Sequence, residues 1–311
     1  MKEHEQELLL ISQRNGTNKM IGLDLKKFRS ITSPFGKTLI YNEENFVISF
    51  PKGMKFGKWE SELLYIVIGK FIEQLGTLKP TDEDIKNSRS MIVTNDEIAE
   101  IYQANTRSKR DELIKNMRKA LENLKYTRFK VEDEGRKQHK TYKYNDMGII
   151  GAHNDKYTRG IDINLDLDFA NYIAWGHIMY LPKDIFKLPG KYGFYIAYTI
   201  YVHQRKNYED GKNKRNGVIG IDTIINQIPE LTKCAKKDKK RAYDQINNTL
   251  INMKEYGLLK GYEYRNNKIS EESNYDYNDN IKLLEGDMIE YTMPKFIADT
   301  YKDRRRKKKR K

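Results

Sequence analysis

Residues 107–125 read RSKRDELIKNMRKALENLK, and residues 236–256 read KKDKKRAYDQINNTLINMKEY. Both open on a cluster of cations: Arg107, Lys109 and Arg110 in the first, Lys236, Lys239 and Lys240 in the second. Both then settle into apolar residues at helical spacing. Met117, Leu121 and Leu124 recur as Ile246, Leu250 and Met253 at a constant offset of 129 residues. Each stretch closes on a lysine, Lys125 or Lys254, and runs into an aromatic, strand-forming segment at 126–131 or 258–264.

The cations stand against local electrostatics. A helix amino end carries partial positive charge and favours Asp or Glu, so each Lys or Arg there forgoes roughly 0.3–1 kcal/mol. Phosphate is the partner that would reward the arrangement, because helix amino ends and cations both bind it. The alternative is a solvated face in a lysine-rich protein, with Asp111, Glu112 and Asp238 partly restoring the expected sign. That the arrangement occurs twice favours phosphate. A helix with a basic start and an apolar stripe, feeding a hairpin, has the sequence shape of a winged helix.

Outward from these helices the same order repeats. In the first half, an apolar helix over 59–75 precedes a short strand at 91–93. A short helix follows, with Thr94 and Glu97 spaced as a capping box. After the long helix, 126–131 and 140–144 read as a two-stranded wing with its tip at 132–139. In the second half, 161–169 alternates as a strand, 190–204 reads as a helix, and 218–221 as a strand. Asp222 caps a helix ended by Pro229, 231–235 reads as a turn, and the long helix stops at Gly257. Segments 258–264 and 281–284 would form the second wing, and 289–294 could add another strand. The expected architecture is α+β: an arm over 1–38, winged-helix domains over 39–158 and 159–300 related by an internal repeat, and a basic tail over 301–311.

Charge agrees with a polyanionic partner. The 311 residues carry net charge +14 at pI ≈ 9.4. Residues 302–311 hold nine cations against Asp303, so +8 lies in the tail and +6 in the remainder. Eight consecutive basic residues repel one another and are expected to be disordered when free. Cys234 is the only cysteine, which excludes an intramolecular disulfide and a cysteine zinc cluster. No apolar run approaches membrane-spanning length, so the expected compartment is the cytosol and no membrane partner is expected.

Chemistry-bearing motifs are sparse. There is no phosphate-binding Gly-x-x-x-x-Gly-Lys-Ser/Thr loop, and the five histidines are scattered. Asp162, Asn164, Asp166 and Asp168 alternate along an expected strand; two-metal nucleases group carboxylates so, but a polar outer strand face is the simpler account. Tyr192, Phe194, Tyr195, Tyr198 and Tyr201 could stack bases, although their helical spacing points to core packing. No enzymatic activity, metal or cofactor is expected. The candidate DNA contacts are Arg107, Lys109, Arg110, Lys115 and Arg118 on the first long helix. On the second they are Lys236, Lys239, Lys240, Arg241, Gln245 and Asn248. Arg136 and Lys137 in the first wing and Arg265 in the second would reach flanking phosphates or a minor groove. Arg pairs with guanine, and Asn or Gln with adenine, each good bidentate pair contributing about 1–3 kcal/mol.

This order of elements resembles the tandem winged-helix plasmid replication initiators, the iteron-binding Rep family. The resemblance covers about residues 40–300 and rests on the helix series at 61–74, 97–102 and 109–125, repeated at 192–204, 223–228 and 238–256. It implies a protein that binds repeated double-stranded sites in a plasmid origin, helps melt an adjacent AT-rich tract, and recruits the host initiator and helicase. It also implies a homodimer that represses its own promoter, with 61–74 and 161–169 as dimer elements and 109–119 and 239–248 as recognition helices. Two recognition helices one helical turn apart would span roughly 20 base pairs. A transcriptional repressor, a phage replisome organiser, and a nicking or priming enzyme are the alternatives.

Overall fold

The computed structural model describes residues 8–13, 29–33, 36–43, 46–51, 54, 56–77, 79–134, 141–154, 159–209, 216–265 and 286–297. Its α+β elements divide into two units, Leu9–Met179 and, with Met1–Leu8, Tyr180–Lys311.

The first unit begins with strands where an arm was expected. After β1 (Leu8–Gln13) come β2 (Arg29–Ser33), β3 (Gly36–Glu43) and β4 (Phe46–Pro51). Helices α1 (Lys58–Leu75) and α2 (Asp82–Ser88), strand β5 (Ser90–Thr94), and helices α3 (Asn95–Ile101) and α4 (Arg107–Lys125) follow. Then come β6 (Arg128–Glu134), β7 (Thr141–Gly148), β8 (Ile150–Asn154), β9 (Gly160–Leu165) and α5 (Leu167–Ala174). They make a five-stranded sheet in the order β2-β3-β4-β6-β7 and a three-stranded sheet in the order β5-β9-β8. Alternation sets the faces: Ile48, Phe50, Phe129 and Val131 are buried, while Arg128, Lys130 and Glu132 are exposed.

Two expectations change here. The pair 126–131 and 140–144 is β6–β7, but it joins β4 of the larger sheet instead of β5. The hairpin that reaches back to β5 is β8–β9, with Ile92 opposite Asp162. The strand at 161–165, expected to open the second half, therefore pairs within the first unit. Local alternation locates strands but carries no information on which strand they meet.

Helix α1 lies at the centre of this unit. Leu63, Leu64, Tyr65, Val67, Ile68 and Phe71 have no exposed surface, and neighbouring residues of a helix point in all directions, so it is enclosed all round. Buried over 61–69 and at 71–72, it has little exposed face for the expected dimer contact. Its polar groups are used inside. Glu62 Oε2 accepts from the Tyr102 hydroxyl at 2.6 Å, and Glu60 Oε1 accepts from Asn123 Nδ2 at 2.6 Å. Lys70 Nζ donates to Glu97 Oε1 at 2.5 Å. These contacts tie α1 to the carboxyl end of α3, to α4, and to the first turn of α3.

Strand β10 (His177–Pro182) leads into the second unit. There a 3-10 turn (Lys183–Lys187) precedes α6 (Gly193–Glu209), β11 (Asn216–Gly220) and α7 (Ile221–Gln227). Helices α8 (Pro229–Lys237) and α9 (Lys239–Glu255) and strands β12 (Gly261–Tyr264) and β13 (Met288–Thr292) complete it. The sheet order is β11-β13-β12. The expected turn at 231–235 is helical: Pro229 stops α7 as expected, with Ile228 before it extended at φ −116 and ψ 96, and it also opens α8, where its missing N–H is not needed. Gly220, not Asp222, occupies the position before α7, and Asp222 lies in the first turn. Gly257, at φ +68, closes α9 as expected, with Leu258 N donating to Met253 O at 2.7 Å. The strand that returns to β12 is 288–292, whereas 281–284 lies outside the described residues.

Burial pushes the Glu62 carboxyl up from 4.5 to about 7, with Lys58 and the Tyr102 hydroxyl pulling the other way. The folded state therefore keeps a proton that the unfolded chain has already released, so this group makes stability fall as pH rises from about 4.5 to 7. Glu62→Gln should remove that slope. Denaturant unfolding across the range should show the variant gaining about 3 kcal/mol relative to the native chain. Parallel pH profiles would contradict it.

Candidate nucleic-acid interface

Helices α4 and α9 stand apart in their first turns. Helices α1, α2, α3, α5, α7 and α8 each carry an acid there, and the first turn of α6 is apolar. α4 and α9 carry cations and no acid: Arg107, Lys109 and Arg110, then Lys239, Lys240 and Arg241. Both are well capped, so their geometry does not depend on those cations. Thr106 Oγ1 accepts from Lys109 N at 3.4 Å, and Asp238 Oδ1 accepts from Arg241 N at 2.9 Å. The apolar stripes do the anchoring: Leu113, Met117, Leu121 and Leu124 are buried on α4, and Tyr243, Ile246, Leu250 and Met253 on α9. Each such side chain contributes about 1.5–3 kcal/mol.

Lys236 was expected at the start of the second long helix. It lies instead in the last turn of α8, with Lys237, because Asp238 breaks the helix and caps the next one. A cation at a carboxyl end is electrostatically ordinary. Both lysines are exposed, so they stand beside the first turn of α9 on the adjoining corner.

The other candidates divide by exposure and partner. Arg107, Lys109 and Lys115 are exposed, with Arg107 lying 3.9 Å from Asp111; Arg118 is half-buried. Arg110 is turned back: its Nε donates to Ala104 O at 2.9 Å and its guanidinium lies 3.5 Å from Asp96. It braces the turn between α3 and α4. A recess of about 330 Å³ at this corner sets Asp96 and Asp111 against Arg107 and Arg110, which leaves it too mixed in sign for an anion pocket. On α9, Lys239, Arg241 and Asn248 are exposed, while Lys240 and Gln245 are half-buried. Gln245 Oε1 lies 3.6 Å from where a side chain on Gly190 would begin, so it faces the segment before α6. Burial raises the pKa of Asp244, with Lys240 lowering it and Asp238 raising it again. Arg265 is exposed at the end of β12. Arg136 and Lys137 lie outside the described residues.

Lys237 and Arg159 are exposed cations beside the candidate helices that the sequence reading does not single out. Lys237 belongs to the run that was read as a helix start. Arg159 is exposed just before β9, and its carbonyl accepts from Asn95 N at 2.9 Å beside the start of α3. Only the long-range pairing of β9 with β5 reveals that position. The aspartate row does not assemble. β9 ends at Leu165, and Asp166 caps α5, accepting from Asp168 N at 3.0 Å. Among the described residues no three His, Cys, Asp or Glu side chains gather as a metal site requires. Phe194, Tyr195, Tyr198 and Tyr201 are core residues, with Phe194 stacked on Phe186 at 5.4 Å. No described helix is long and apolar enough to cross a membrane.

No family model and no curated protein matches the chain. Among solved structures, the selenomethionine form of domains 2 and 3 of RctB is similar at TM-score 0.39 and 10% identity, over 80% of this chain and 88% of that one. A second crystal structure of those domains gives TM-score 0.37 and 10% identity, over 88% and 93%. Function is therefore read from this chain's own residues.

The corner between α3 and α4 yields two expected outcomes. Arg110→Ala should lower unfolding stability by about 1 kcal/mol while Arg107→Ala leaves it unchanged, as thermal melts of both would show. Gln103 sits in that turn at φ +50, a left-handed conformation that costs a side-chain-bearing residue about 1–2 kcal/mol. Gln103→Gly should raise the melting midpoint; a lower midpoint would mean the turn gains nothing from glycine.

Proposed function

We propose that each unit is a winged helix and that the chain binds repeated double-stranded sites in origin DNA as a plasmid replication initiator. The observation that carries this reading is the paired design of α4 and α9. Each is a long, capped helix with cations alone in its first turn, preceded by a short helix and followed by strands. In each unit the strand before the short helices pairs with the last strand of a three-stranded sheet whose middle position that last strand takes. In this reading α4 and α9 enter the major groove. The wings are β8–β9 in the first unit and β12–β13 in the second, with Arg159 and Arg265 placed for backbone contacts.

The mechanism needs no bond chemistry. Lys236, Lys237, Lys239 and Arg241 neutralise phosphates and release counterions, which supplies affinity. Asn248 and Arg241 offer base-edge hydrogen bonds, which supply sequence preference. Two bound units that bend the duplex would make its flanking AT-rich tract easier to open, at an elastic cost of about 1–10 kcal/mol. Recruitment of a host initiator and helicase, and dimer formation with self-repression, complete the proposal.

Footprinting on DNA flanking the gene, at about 150 mM salt, tests it. Regularly spaced protected repeats are expected. Lys239→Ala/Lys240→Ala/Arg241→Ala should abolish protection and flatten the log-affinity against log-salt line by about 0.9 for each phosphate no longer neutralised. Uniform coating of any duplex, unchanged in the triple variant, would overturn the reading.

A further inference from the structure

The exposed ridge of α9 is narrow and chemically uneven. Between Arg241 and Lys254 only Asn248 and Ile251 are exposed. The neighbouring polar residues are occupied within the unit. Asn247 Oδ1 accepts from the hydroxyls of Tyr262 and Tyr264 at 3.3 and 3.1 Å. Thr249 Oγ1 donates to Gln245 O, and Asn252 Nδ2 donates to Asn248 O. The ridge therefore presents Arg241, Asn248 and Ile251, one to three turns apart on one side of the helix.

Ile251 is out of place on a solvated face. It is 39% exposed, next to an Asn and in line with an Arg, on a helix whose own apolar stripe is already full. An isolated exposed isoleucine is ordinary on a general surface. Here it lies on the ridge that Arg241 and the lysines of the α8–α9 corner direct at a polyanion. Asp244, between Arg241 and Asn248 on the same side, carries the sign of DNA and makes this middle stretch a poor phosphate binder. What suits such a stretch is base edges. An A·T pair shows the adenine N6/N7 pattern that fits an Asn amide, and beside it the thymine C5-methyl, the one apolar group on the major-groove floor.

We propose that Ile251 is a specificity-determining residue that packs on the C5-methyl of a thymine, one base step from an adenine read by Asn248. The spacing fits: three helical residues rise about 4.5 Å, against about 3.4 Å per base step. The inference rests on the duplex-binding reading above and adds the base that each residue selects. Arg241, nearer the amino end of the helix, contacts guanine or the backbone at the edge of the same site.

The test uses the full chain and the duplex protected in footprinting, with each thymine replaced in turn by deoxyuridine, which removes only the methyl. At one position the native chain should lose about threefold to tenfold in affinity, the scale of one or two buried methyl groups. Ile251→Ala should lose the same factor on the unmodified duplex and be indifferent to uracil at that position, while Ile251→Val restores most of the discrimination. If the two losses multiply at every thymine, or Ile251→Ala binds as the native chain does, Ile251 reads no methyl. A native chain that protects no discrete site at all would remove the duplex-binding reading itself, and this one with it. Those two failures are distinct results.

Discussion

The first unit depends on how helix α1 is held. A helix buried on every side has no solvent face to fix its rotation, and apolar contacts alone tolerate sliding. Three polar contacts remove that freedom: Glu60 to Asn123, Glu62 to Tyr102 and Lys70 to Glu97. They reach α4, the end of α3 and the start of α3, so the orientation of α4 is keyed to the core helix. Burying carboxylates is costly, and Glu62 shows it in its raised pKa. The return is a defined register between α1 and the corner that carries the cations.

In the second unit several such contacts are made by neutral groups. Tyr201 donates to Leu258 O at 3.0 Å, fixing α6 against the segment after α9. Thr232 donates to Ile225 O at 2.7 Å and joins α7 to α8. Asn247 joins α9 to β12 through two tyrosine hydroxyls.

Much of this was legible in the chain itself. The apolar stripes at 113–124 and 243–253 specify both long helices, the Thr94–Glu97 box starts α3, and Gly257 stops α9. These are local signals, set by residues three or four apart. What was not legible is long-range or turns on competing local signals. β6–β7 carries as good an alternation as β8–β9, and nothing within either hairpin says which of them meets β5. Pro229 reads as a stop, and α7 does end just before it, but the helix that begins on it at once was not read from the sequence. Lys236 looked like part of the α9 entrance because Asp238, two residues later, is the cap that separates the helices. At the candidate site, charge and helical phase found the cations. The inward turn of Arg110 and Gln245 needed the packing.

The strand order has a consequence in time. In β5-β9-β8 and β11-β13-β12 the middle strand is the last to be synthesised. β5 and β11 have no partner within their sheets until a strand some 70 residues further along arrives. Closing loops of that length is slow compared with forming the helices inside them. A nascent chain would hold α4 or α9 in place, cations outward, while the adjoining sheet still lacks its centre. Each unit should therefore display its cationic helix before its sheet can brace it, and the last strand acts as the latch.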